Sequence, residues 1–132
     1  MAGGVRSSGS KNMIDLNSVI TLTNGYVTLD KLNQKQFISS ASEKNTWLDS
    51  IEYATMNGIL VETKYYMIIS SKDQLFSKDN TSIKCSDIRV GDLLDTSDGT
   101  DEVIDITDLN QPIEMAELET DGTFIANGLI VW

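Results

Sequence analysis

The sequence predicts an all-β fold of many short strands with one or two short helices. The chain is rich in short β-branched and apolar runs, such as "SVITLT" and "ILVETKYYMIIS". Turn chemistry interrupts these runs, because Asn and Asp followed by Gly favour positive φ at little cost. Five such pairs occur, at Asn24-Gly25, Asn57-Gly58, Asp98-Gly99, Asp121-Gly122 and Asn127-Gly128. There is one Pro, and no amphipathic helix longer than about two turns is apparent.

The 132 residues fit one domain preceded by a tail. Residues 1–12, "MAGGVRSSGSKN", contain three Gly, three Ser and no aromatic residue. Such a segment buries too little apolar surface to offset the entropy of ordering it. We therefore predict that residues 1–12 form a flexible tail, or the remnant of a tag or preceding protein, and that residues 13–132 form the folded domain.

The first half of the domain reads as hairpins with one helical turn. "SVITLT" and "YVTL" flank the first Asn-Gly pair and predict a hairpin. "DKLNQKQF" predicts a helical turn, and "SSASEKNT" predicts a polar loop. "WLDSIEYATM" predicts a strand that ends in a turn at Asn57-Gly58.

The second half continues with short strands separated by reversals. "SIKCSDI" and "RVGDLLDT" predict strands with tight bends, and Asp98-Gly99 predicts a reversal before "EVIDITDL". "IEMAELET", "TFIA" and "LIVW" predict the last strands, separated by two further turn pairs. Alternation and motif position predict the core as Leu16, Val19, Ile20, Leu32, Ile69, Leu75, Val90, Leu93, Ile104, Leu118, Phe124, Ile125 and Ile130.

Composition excludes several classes of partner and chemistry. Lys and Arg number 10 against 20 Asp and Glu, a net charge of −10, which disfavours nucleic-acid binding. No apolar run approaches the ~18 residues of a membrane span, and no secretory signal is apparent. The single cysteine, Cys85, cannot form an internal disulfide, and we read it as a small half-buried hydrophobe. A cytoplasmic monomer is expected.

The side chains that hold metals or transfer protons at neutral pH are scarce. Histidine, the commonest metal ligand and general acid or base, is absent. Acidic residues cluster between Asp87 and Asp108, but their spacing does not match a calcium-binding EF-hand loop. We predict a solvated acidic face, with no metal and no cofactor.

Three segments in order resemble the sequence blocks of inteins, the Hint (hedgehog/intein) domains, in the minimal form without a homing endonuclease. "MIDLNSVITLTNGYVTLDKL" resembles the N-terminal block, and "IISSKDQLFSKDNTSIKCSDIRVGDLL" resembles the block in which Thr-x-x-His precedes "LF". "MAELETDGTFIANGLIVW" resembles the closing blocks. The resemblance covers residues 13–132 and implies a horseshoe of short strands with adjacent termini.

The resemblance also implies where splicing chemistry would lie. Inteins excise themselves and join their flanking segments: a Cys or Ser nucleophile attacks the preceding carbonyl, and imidazole protonates the departing nitrogen. Met13 stands at the nucleophile position, and Ser71 and Gln74 at the Thr and His of Thr-x-x-His. Trp132 stands at the penultimate His, and Glu117 at a position that is often acidic.

This placement implies that Met13 and Trp132 lie close in space, with Ser71 and Gln74 near the peptide between Asn12 and Met13. A thioether has no proton to lose, and a Gln amide cannot donate a proton at a useful pKa. We therefore expect an intein-type domain in an inactive form, whose partners are flanking segments in cis or a complementary fragment if the natural form is split.

Two alternatives remain open at this stage. In the first, a degenerate Hint-fold domain acts as an acidic protein-binding or structural module. In the second, a residual enzyme uses Glu117, Ser71 and Cys85. The bland interpretation of the same residues is that Met13 and Trp132 pack in the sheet and that Ser71, Gln74 and Glu117 are turn or solvated strand residues.

Overall fold

The structure, a computed structural model, describes residues 12–40 and 45–132. The predicted tail, apart from Asn12, and residues 41–44 of the predicted loop lie outside the described residues. Ten short strands lie in the described part: β1 Ile14–Asp15, β2 Val19–Leu22, β3 Gly25–Thr28, β4 Gln36–Ile38, β6 Met67–Ser70, β7 Leu75–Lys78, β8 Thr81–Lys84, β9 Leu93–Thr96, β11 Phe124–Ala126 and β12 Leu129–Val131. Two are long: β5 Thr46–Thr63 and β10 Gly99–Thr120.

The twelve strands form one continuous antiparallel sheet, and this confirms the predicted all-β class. The strand order is β11-β2-β4-β5-β6-β1-β10-β9-β12-β7-β8, and β3 pairs with β2. β5 also pairs with β10, and β11 with β12, so the sheet folds back on itself. Two 3₁₀ turns, Leu29–Lys31 and Cys85–Asp87, are the helical elements of the described residues.

The long β5–β10 pair corrects one prediction. Asn57-Gly58 does not form a turn, because both residues lie inside β5, where Asn57 pairs with Pro112 of β10. A Cβ on Gly58 would lie 2.7 Å from Ile113 Cγ1, so the glycine permits close packing of the two strands. The Asn57 carboxamide donates a hydrogen bond to Asp108 Oδ1 across the pair (2.8 Å). Both residues of this apparent turn signal therefore serve cross-strand packing.

The other turn signals lie at or beside chain reversals. Asn127 and Gly128 have φ of 51° and 80° and connect β11 to β12 in two residues, as a type I′ hairpin turn requires. Ser97 and Asp98 connect β9 to β10, because Thr96 pairs with Gly99. The β2–β3 hairpin turns one residue earlier than predicted, since Leu22 pairs with Gly25.

The predicted core is partly correct. The buried members are Ile20, Leu32, Leu118, Phe124, Ile125 and Ile130, whereas Leu16, Ile69 and Leu75 are half-buried. Four predictions are wrong, because 38–62% of each side chain is exposed: Val19, Val90, Leu93 and Ile104. The adjacent Leu94 and Val103 are fully buried instead of Leu93 and Ile104. Since strand side chains alternate, an error of one residue exchanges the core face for the solvent face.

A buried carboxylate anchors the start of β10. The Asp101 side chain is 6% exposed, and its two oxygens accept hydrogen bonds from the N–H groups of Tyr65 (2.8 Å) and Glu102 (3.1 Å). Burial raises the pKa of Asp101, but these bonds and one from the Thr63 side chain outweigh burial and hold the pKa below its usual value. Folding is therefore linked to ionisation of Asp101.

Candidate functional site: the junction cleft

The two ends of the described domain meet in one cleft. Strand β1 lies between β6 and β10, and Ile14 pairs with both Ser70 and Ala116. Extending these antiparallel registers by one residue puts Met13 opposite Ser71, which directly follows β6, and opposite Glu117 on β10. Sheet register alone thus brings together residues that are far apart in the sequence.

Met13 is fixed by its backbone. Its carbonyl accepts a hydrogen bond from the Ser71 N–H (2.9 Å), and its own N–H donates to Ser71 Oγ (3.3 Å). The Met13 side chain is 2% exposed, so the thioether packs in the protein interior. The expectation that Ser71 approaches the Asn12–Met13 peptide is met by the bond to the nitrogen of that peptide.

Asn12 connects the beginning of the domain to its end. Its Oδ1 accepts a hydrogen bond from the Leu75 N–H (2.8 Å), and its Nδ2 donates to the Trp132 carbonyl (2.8 Å). The Trp132 N–H in turn donates to the Leu75 carbonyl (3.1 Å). Asn12, the last residue of the predicted tail, is half-buried and takes part in the folded site.

Gln74 also holds the Trp132 carbonyl. Its Nε2 donates to that oxygen (3.2 Å) and to the Leu75 carbonyl (2.9 Å), and the side chain is 1% exposed. The Trp132 carbonyl therefore accepts two amide N–H groups, from Asn12 and Gln74. We call this arrangement of Asn12, Gln74, Leu75 and Trp132 the junction clamp. Gln74 faces Trp132 rather than the Asn12–Met13 peptide among its described contacts.

Glu117 and Trp132 line the cleft beside the clamp. The cleft has a volume of about 350 Å³, and Asn12, Glu119 and Asp121 also line it. Glu117 is 4% exposed, which contradicts its interpretation as a solvated strand residue. The cleft is thus acidic and adjoins both ends of the domain.

Cys85 lies behind the cleft rather than in it. Its N–H donates to the Gln74 carbonyl (2.8 Å), and its side chain is 2% exposed. Burial raises the pKa of the thiol, against a smaller opposing effect of a hydrogen bond with Ser70. A buried thiol with a raised pKa is a poor nucleophile at neutral pH.

Of the five predicted site residues, Glu117 and Trp132 line the cleft. Ser71 and Gln74 reach it through hydrogen bonds to Met13 and Trp132. The chemistry of the five residues is limited. Met13 and Gln74 cannot transfer protons, and the Ser71 hydroxyl has no histidine beside it because the chain has none. Glu117 is the one titratable group among the five. Sequence reasoning missed Asn12, whose only signal was its position directly before the N-terminal block.

Among residues 12–40 and 45–132, no three His, Cys, Asp or Glu side chains are grouped so as to hold a metal ion. Within the same residues, no helix is long and apolar enough to cross a membrane.

Comparison with solved structures identifies the fold, although no family model and no curated protein matches the sequence. A variant of the Ssp DnaB mini-intein superposes with a TM-score of 0.83 at 17% identity, covering 96% of this chain and 95% of that one. The gp41-1 intein gives 0.78 at 15% identity, covering 89% and 95%. A bacterial intein-like domain from Clostridium thermocellum gives 0.78 at 15% identity, covering 92% and 99%. The described residues have the Hint fold of inteins, and Asn12 and Trp132 are in contact at the junction cleft.

Proposed function

We propose that residues 13–132, together with Asn12, form an intein-type domain that holds its two flanking segments side by side and does not splice them. The observation that carries this proposal is the junction clamp. Amides from Asn12 and Gln74 converge on the Trp132 carbonyl, and Asn12 precedes the predicted nucleophile position. Flanking segments in cis are the implied partners, or a complementary fragment in a split form.

The residues at the reactive positions support the loss of splicing. Attack on the Asn12 carbonyl needs a group that becomes an anion or loses a proton, and the buried Met13 thioether supplies neither. Departure of the Met13 nitrogen needs a proton donor near neutral pKa, and a Gln74 amide is not one. Gln74 instead makes two hydrogen bonds that stabilise the closed junction.

The experiment that tests this proposal places the chain between two reporter proteins. We expect the unaltered chain to give only the full-length precursor on a gel and by intact mass. A restored chain carries Met13→Cys, Gln74→His and Trp132→His, with Asn and Cys appended after residue 132. It should form a thioester at Asn12, which dithiothreitol cleaves to release the first reporter.

The matched control carries Met13→Ala with the other restored residues and should not respond to dithiothreitol. Ligated reporters from the unaltered chain would overturn the proposed inactivity. Absence of thioester, cleavage and ligation from every restored chain that folds would overturn the assignment of the reactive positions.

A second candidate function is an acidic protein-binding module on the same scaffold. The observation that favours it is the net charge of −10, which would attract a basic partner in a salt-dependent way.

A further inference from the structure

A second pocket lies between three turns, outside the junction cleft. It has a volume of about 480 Å³, and the side chains of Tyr26, Tyr66 and Asp98 line it together with Val19, Thr21 and Asn127. Tyr26 belongs to the β2–β3 hairpin, Asp98 to the β9–β10 turn, and Asn127 to the β11–β12 turn. The pocket thus combines two aromatic rings with one carboxylate.

Tyr66 is held in one orientation. Its ring lies against Gly128, where an added Cβ would overlap the ring atoms. Its hydroxyl donates to Asp98 Oδ2 (2.8 Å), and this bond is the largest cause of a raised Tyr66 pKa, so the phenol is neutral at physiological pH. The ring and the carboxylate are therefore fixed relative to each other.

The turns around the pocket are tied together before any ligand binds. The Asn127 carboxamide accepts a hydrogen bond from the Val19 N–H (2.7 Å) and donates to the Met67 carbonyl (2.9 Å). The Ser97 N–H donates to the Gly128 carbonyl (2.9 Å), which links the turn that carries Asp98 to the turn beneath Tyr66. Preorganised walls reduce the entropy that a ligand must overcome.

Among the described residues, none of the side chains that line the pocket carries a positive charge. In residues 12–40 and 45–132, no Lys or Arg forms an ion pair with Asp98, although other carboxylates of the same region do so. The Tyr26 side chain is 75% exposed, so one ring stands open to solvent beside the carboxylate. An acidic chain with an open aromatic ring, beside a carboxylate that has no ion pair among the described residues, is complementary to a cation.

We propose that this pocket binds an arginine side chain from a basic segment of a partner protein. A guanidinium is planar, stacks on an aromatic ring and donates two parallel hydrogen bonds to a carboxylate. The open face of Tyr26 would take the stacking contact, and Asp98 would accept the hydrogen bonds. This binding goes beyond the proposed splicing-related function, because it uses none of the junction residues.

The test is an NMR titration of the ¹⁵N-labelled chain with the acetylated, amidated tripeptide Gly-Arg-Gly. We expect saturable shifts of the backbone amides around Tyr26, Tyr66 and Asp98 at low salt. The affinity obtained from these shifts should fall severalfold in 0.5 M salt, where the Debye screening length is about 4–5 Å. The same peptide with citrulline in place of arginine is neutral and nearly isosteric, and it should give no saturable shift.

Two variants and a matched control locate the site. Asp98→Asn keeps an oxygen that can accept the hydrogen bond from the Tyr66 hydroxyl, but it removes the negative charge. This variant should therefore bind the peptide about tenfold more weakly. Tyr26→Leu removes the stacking ring and should weaken binding about threefold. Tyr53→Leu changes another exposed tyrosine, 60% exposed on β5, and should leave binding unchanged.

Three outcomes would overturn the proposal. They are the absence of saturable shifts with the arginine peptide, equal binding of the citrulline peptide, and equal losses in the Tyr53→Leu and Tyr26→Leu variants. A normal amide spectrum for each variant shows that the fold is retained and keeps each outcome interpretable.

Discussion

Replacement of Asn12 by leucine removes the link between the two ends of the domain while nearly preserving side-chain shape. The wild-type carboxamide makes two hydrogen bonds of 2.8 Å, one to Leu75 and one to Trp132. Each neutral hydrogen bond contributes about 0.5–1.5 kcal/mol, and water partly replaces both because Asn12 is half-buried. We therefore expect Asn12→Leu to lower the free energy of unfolding by about 1–2 kcal/mol.

A loss of this size corresponds to a midpoint about 4–8 °C lower in thermal unfolding. Circular dichroism in the β region follows the transition, and urea denaturation gives the free energy separately. The matched control is Asn33→Leu, at an exposed position between the 3₁₀ turn and β4, which should change the midpoint little. Equal midpoints for Asn12→Leu and the wild-type chain would show that the two Asn12 hydrogen bonds contribute nothing to stability.

The Asn12→Asp variant should lose stability at the same junction, but the size of this loss should depend on pH. A carboxylate keeps an acceptor for Leu75 but turns an oxygen toward the Trp132 carbonyl, so its pKa should be raised in the folded state. A raised folded-state pKa gives stability below the unfolded-state pKa that is lost as pH rises through the folded-state value. The stability deficit of Asn12→Asp should thus grow from acid to neutral pH, whereas that of Asn12→Leu should not change.

Three further predictions concern the rest of the fold. Gly91→Ala adds only backbone strain, at a φ of +98°, and should lower the free energy of unfolding in urea by about 1–2 kcal/mol. Gly128→Ala must also displace the Tyr66 ring and should cost more. Equal losses for the two variants would show that the contact between Gly128 and the Tyr66 ring does not limit the side chain at residue 128. The lowered pKa of Asp101 gives stability that is present above its unfolded-state pKa and lost as pH falls through the folded value, so Asp101→Asn should flatten the acid limb of the stability profile. Cys85, buried with a raised pKa, should react with a thiol reagent only as fast as the protein opens, and rapid labelling in native buffer would refute its burial.

Local chemistry was sufficient to predict the fold class. β-branched runs and paired turn residues predict short antiparallel strands, and Asn127-Gly128 forms the predicted two-residue turn. Asn57-Gly58 carries the same local signal but lies in a long strand, because packing against Ile113 overrides turn propensity. The packing of the partner strand therefore decides whether an Asn-Gly pair forms a turn or lies within a strand.

The long-range contacts at the candidate site follow from sheet register rather than from local sequence. The resemblance indicated Met13, Gln74 and Trp132, and the register of β1 explains how distant segments meet. The role of Asn12 could not be predicted, because its two bonds connect residues 63 and 120 positions away along the chain. Local pattern carries no information on contacts of that range.

The most direct test of the junction clamp is the ¹⁵N-edited NOE spectrum of the unaltered chain. The junction clamp predicts cross-peaks between the Asn12 carboxamide protons and the Leu75 amide proton, and slow hydrogen exchange at the Leu75 and Trp132 amides. Asn12 carboxamide protons at random-coil shifts, with no NOE to Leu75 and free exchange at both amides, would contradict it.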